Sequence, residues 1–150
     1  EADRVALESR ELALTDFLNR RGLVLRTDLL GTWSGWLTPV FEPKRFRTWF
    51  FVARLPEGQK TRDVSSESSE VMWASAADAV AGAESEELGM LPPTYLTLLE
   101  ISQHAQLDQV IAASAGRTVE MFMPEVHSED GEFSLTFPEQ MGPLLAARKG

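Results

Sequence analysis

The chain has 150 residues, 43% of them hydrophobic and 25% charged, and carries a net charge of −9. That balance suits one globular domain with a core of moderate size. The absence of cysteine excludes disulfides, zinc ribbons and thiol nucleophiles, and the acidic excess makes a nucleic-acid backbone a poor partner.

The charge is unevenly placed. Residues 1–75 hold eleven Lys/Arg and eleven Asp/Glu, whereas residues 76–150 hold three and twelve. An anionic ligand is therefore expected to draw on the first half, where Lys44, Arg45 and Arg47 are the densest cationic cluster. No stretch approaches the ~18 apolar residues of a membrane span. The polar opening residues argue against a secretory signal, which together with the lack of cysteine suggests an intracellular, cytoplasmic protein.

The first segment reads as helix, with Leu14, Phe17 and Leu18 at i, i+3, i+4 and Arg20-Arg21-Gly22 as its stop. Residues 32–38 alternate large and small, as in a half-buried strand that Pro39 ends. Residues 48–55 form an aromatic and branched run, which predicts a strand buried on both faces. Residues 57–69 are polar and Ser-rich and predict a mobile loop. Val71-Met72-Trp73 reads as a short strand, and Ser75 with Asp78 as a helix cap. Pro92-Pro93 opens a further helix, and Leu107, Val110 and Ile111 mark another, ended by Gly116. Strands over Thr118–Met123 and Glu132–Phe137 are expected to join across Asp130-Gly131, with the last ten residues frayed. The order predicts an α+β fold in one domain over 1–150.

No catalytic centre is self-evident. His104 and His127 have no second ligand at metal spacing and read as packing or surface residues. The acidic run Glu84-Ser85-Glu86-Glu87-Leu88-Gly89-Met90 reads as a solvated helix end capped by Gly89. Glu67 and Glu70 fall in the polar loop, where a carboxylate can orient water or help hold a metal; an exposed loop acid is the plainer reading. Trp33, Trp36 and Trp49 could stack on a nucleobase or pack the strands, and packing is favoured for Trp33. Trp36, beside Thr38-Pro39 at a strand end, suits either a core or a ligand role.

The run Trp36-Leu37-Thr38-Pro39, Glu42-Pro43-Lys44-Arg45-Phe46, Thr48, Phe50-Phe51-Val52-Ala53, Leu55-Pro56 resembles a stretch of Nudix hydrolases. The branch is that of the mitochondrial coenzyme-A diphosphatase and its bacterial relatives. Glu67, Glu70, Trp73 and Ala79, then Leu91-Pro92-Pro93-Thr94, and earlier Phe17-Leu18 with Arg21-Gly22-Leu23, extend the likeness over roughly residues 12–100. Two departures stand out. Arg47 occupies the place of an Asp in the branch pattern R-[FY]-D-T, and the metal-binding Nudix box G-x5-E-x7-R-E-U-x-E-E-x-G-U is absent. Glu86–Met90 matches its last five places, but Gly82 and Ala83 stand where Arg-Glu is needed.

The resemblance implies a Nudix-like mixed sheet with flanking helices, incomplete because the N-terminal part is missing, so that 1–150 is the C-terminal portion of a single domain. It implies a parent enzyme that cleaves the diphosphate of coenzyme A or acyl-coenzyme A to a phosphoadenosine phosphate and a phosphopantetheine. Its cofactor is Mg²⁺ or Mn²⁺, held by the missing box, and this chain alone is expected to be inactive. Trp36, Thr38, Arg45 and Phe46 are the candidate substrate contacts, Arg45 for a phosphate, with Glu67 and Glu70 as candidate catalytic acids. The partner is a small nucleotide-type substrate, with no nucleic acid and no membrane. A homo-oligomer, or pairing with the missing N-terminal part, is expected from an open sheet edge. The alternative is a noncatalytic Nudix-like binding module, which the guanidinium of Arg47 at an acidic place favours.

Overall fold

A computed structural model of the chain describes residues 2–60, 71–129 and 132–148. Glu67, Glu70 and the Asp130-Gly131 turn lie outside them. The fold is α+β, in two compact units: residues 1–29 with 56–72, and residues 30–55 with 73–150. No helix among the described residues is long and apolar enough to cross a membrane.

In the first unit, the expected single helix is two, α1 (Ala2–Glu8) and α2 (Leu14–Arg21). Arg10 adopts a left-handed φ of 63° between them, which no continuing helix accommodates. The stop at Arg20-Arg21-Gly22 forms as expected: Gly22 takes φ 62° and Leu23 N–H donates to the Leu18 carbonyl at 2.9 Å. Arg21 Nε donates to Asp3 at 2.8 Å and ties the two helices together.

The second unit is built on β1 (Gly31–Leu37), the central strand of a sheet in the order β2-β1-β3. β2 (Arg47–Val52) runs antiparallel to β1, and β3 (Met121–Phe122) runs parallel to it. The β1–β2 register slips between Thr32 and Ser34, so Trp33 is the extra residue of a bulge. Such a bulge bends the strand and re-aims its side chains; here Trp33 and Trp36 are both buried. β2 is an edge strand, not one buried on both faces. Trp49 and Phe51 remain 43% and 53% exposed, and among the described residues β2 pairs with β1 alone.

Three helices follow. Ser75 caps α3 (Ala76–Glu84) by accepting the Asp78 N–H at 3.0 Å. α4 (Pro92–Ile101) starts on its prolines, and α5 (Leu107–Ala115) ends at Gly116. The core joins Trp36, Val80, Leu96, Leu99 and Met141; each such aliphatic side chain stabilises the fold by about 1.5–3 kcal/mol on burial.

Four expectations fail here. Val71-Met72-Trp73 forms no strand, and all three side chains are exposed. The hairpin pairs β5 (Glu132–Leu135) with β4 (Val126–Glu129), while the 118–123 segment gives only β3. Pro124, which lacks a donor N–H, separates the two. The tail is not frayed throughout: Gly142–Arg148 is helix α6, with Leu144 and Leu145 against the core. Gly89 caps no helix, because α3 ends at Glu84, and Glu86 beyond it takes φ 61°.

Candidate functional site

The segment between β1 and β2 is clasped from within. Thr38 N–H donates to the Phe46 carbonyl and Phe46 N–H to Thr38 Oγ1, both at 3.0 Å. Arg45 Nε donates to the Thr38 carbonyl at 2.9 Å. These bonds hold residues 39–45 as a fixed projection past the last strand pair, Leu37 with Arg47.

Thr38, Arg45 and Phe46, three of the four candidate substrate contacts, therefore come together. The fourth does not join them as a free surface. Trp36 is buried, stands edge-on to Phe122 at 5.3 Å between ring centroids, and donates from Nε1 to Ser34 Oγ at 3.3 Å. Its alternation with Gly35 and Leu37 places it on the core face, so packing is its first role.

The cationic cluster carries usable charge. Among the described residues, Lys44, Arg45 and Arg47 have no carboxylate partner. Lys44 lies over the Phe46 ring at 5.2 Å, and Arg45 Nη2 reaches Met123 Sδ at 3.2 Å. A guanidinium anchored through Nε to a backbone carbonyl keeps other N–H groups available for a phosphoryl oxygen.

A cavity of about 800 Å³ opens beside β1, and Met123 lies on its wall. Glu100 of α4 accepts two hydrogen bonds from Arg117 Nη2, at 2.7 and 2.8 Å. The same guanidinium sits 4.3 Å over the Trp33 ring, and His104 meets that ring edge-on at 5.8 Å. Ser34 Oγ and Thr97 Oγ1 are 2.9 Å apart. Trp33 Nε1 is buried with no acceptor. The sequence reading missed this wall entirely. Glu100, Thr97 and Arg117 are spaced irregularly along the chain, and the bulge at Trp33 that gathers them leaves no mark in residue type.

A second, shallower groove of about 310 Å³ is lined by Met90, Tyr95, Leu135 and Leu145 among others. At its margin Glu84 accepts from Tyr95 Oη at 2.7 Å and from Arg148 Nε at 2.8 Å. Arg148 and then Tyr95 hold the Glu84 carboxyl below its ordinary range. Burial, then the Glu84 carboxylate, push the Tyr95 hydroxyl up.

Among the described residues no group of three or more His, Asp or Glu side chains could hold a metal ion. The described residues therefore form no site for the Mg²⁺ or Mn²⁺ that the resemblance implies. Comparison with family models, curated proteins and solved structures finds no match for the chain.

Proposed function

We propose that this chain is the C-terminal part of a Nudix-type hydrolase acting on a nucleoside-diphosphate-linked substrate, coenzyme A or acyl-coenzyme A. The observation that carries the reading is the clasped β1–β2 connection. The residues that make the family-like motif, Thr38, Arg45 and Phe46, meet there, and Arg45 and its neighbours have no acid to neutralise them among the described residues. A diphosphate is an anion that such a cluster recognises by charge-assisted hydrogen bonds.

This chain's part in that reaction is binding and orientation. Arg45, steadied by the Thr38 carbonyl, holds a phosphoryl oxygen at a fixed place; Phe46, 54% exposed and beside it, offers a face for stacking. Arg47 adds positive charge where the family pattern has an acid, which strengthens anion capture and supplies no base. The proposed cofactor, Mg²⁺ or Mn²⁺, belongs with a box that this chain does not contain.

Titration of the chain with coenzyme A tests the binding role. Arg45→Ala is expected to weaken binding about tenfold, the scale of one charge-assisted hydrogen bond, and to lower the salt dependence of the affinity. Equal affinity of the variant and the wild type would contradict the role of Arg45.

A further inference from the structure

Two strand edges of the second unit lack a neighbouring strand among the described residues, and their charges are opposite. The first is β2, which pairs with β1 alone and leaves its outer edge unpaired. Trp49 and Phe51 lie two positions apart, on one face of β2, and both are exposed; Arg47 begins the same row. Residues 44–52 hold three Lys/Arg and no Asp or Glu.

The second edge belongs to the β4–β5 hairpin. Thr136 closes the base of the hairpin. Its N–H donates to the Glu125 carbonyl at 2.9 Å, and its Oγ1 accepts from the Glu125 N–H at 2.8 Å. Beyond that base β4 and β5 pair only with each other among the described residues. Phe133 is 78% exposed, and Leu135, on the same face of β5, is exposed as well. Residues 125–132 hold four Asp/Glu and no Lys or Arg. Two strands alone are marginal in water, and a third with an apolar face makes such a sheet stable.

Charge selects which edges can meet. Two copies joined β2 to β2 bring three cations to three, and two joined hairpin to hairpin bring four acids to four. Only β2 against β5 sets opposite charges together. We propose that β5 of one copy pairs with the β2 edge of a second copy of this chain. The hairpin thereby gains its third strand, and the sheet of the second copy is extended by two. A parallel alignment matches both patterns. Phe133 and Leu135 fall beside Trp49 and Phe51, as stabilising cross-strand pairs, and Glu132 falls at the cationic end of β2. Because the two edges differ, the contact is heterologous and every copy offers both sides of it. The pairing stands whether or not Arg45 holds a diphosphate.

The test is sedimentation equilibrium of the chain at concentrations up to about 0.5 mM, which populate even a small contact. The wild type is expected to self-associate, and to do so more weakly at about 0.5 M than at about 0.05 M salt. Arg47→Glu and Glu132→Lys are each expected to weaken association at least about tenfold by setting like charges together. Both positions are exposed, so circular dichroism should be unchanged. The double variant, with the two charges exchanged, should recover to within about threefold of the wild type. Phe133→Ser keeps every charge and should weaken association about tenfold by removing the apolar contact. A wild type that stays monomeric throughout, association indifferent to Glu132→Lys or to Phe133→Ser, or a double variant no better than the single ones would each overturn the pairing.

Discussion

At the scale of single residues, the contacts that matter are those the chain makes across long separations. Glu84 is paired with Arg148, 64 positions away, and with Tyr95. Because the folded pKa of Glu84 is depressed, its contribution to stability is present above the ordinary carboxyl range, about pH 4.3. That contribution is lost as pH falls through the depressed folded value. Glu84→Gln should therefore be less stable than wild type in urea at neutral pH, with a gap that closes on acidification. A gap of constant size between neutral and strongly acidic pH would contradict the pairing. Arg45, Thr38 and Phe46 meet in the structure because all three lie within nine positions and on one strand connection. The sequence could not assign Trp36, whose strand-end position suits a ligand and a core equally; the structure buries it in the core cluster. Nor could it see Glu100 and Arg117, whose partnership depends on how α4 and the chain after α5 meet β1.

At the scale of elements, local signals were legible where the chain itself carries them. The stop at Gly22, the Ser75 cap and the Pro92 helix start each depend on residues within one turn, and each forms. Burial and pairing were not legible, because an apolar run reads the same on an edge as in a sheet centre. β2 is the example, predicted buried and found on the edge. Its exposed Phe51 makes a prediction: Phe51→Lys should change stability by no more than about 0.5 kcal/mol, while lowering self-association in sedimentation, as a charge on an open edge does. Loss of several kcal/mol would mean that the residue is covered. The close contact of β1 with α5 makes another. A Cβ on Gly31 would stand 2.6 Å from Ser114 Cβ, and Ser114 is buried and tied to the Ile111 carbonyl at 2.7 Å. Gly31→Ala should cost about 1–3 kcal/mol, the range of an overpacked contact. An unchanged urea midpoint would show that α5 yields freely.

At the scale of the whole molecule, the α+β architecture predicted from element order is present, with the sheet narrow and its β2 edge unpaired. Charge follows the same division as the sequence: Lys44, Arg45 and Arg47, without a carboxylate partner among the described residues, lie around the β1–β2 connection, and four glutamates line the cavity beside β1. On the proposed function, the chain serves a metal-dependent diphosphatase, with the metal held by a box outside these residues. The most direct measurement is hydrolysis of coenzyme A by the natural full-length gene product with Mg²⁺, with the products identified by mass. The proposed function predicts phosphopantetheine and a phosphoadenosine phosphate, lost on chelation and diminished by Arg45→Ala. A full-length product that binds coenzyme A yet cleaves neither it nor its acyl derivatives would contradict the enzyme and leave a binding module.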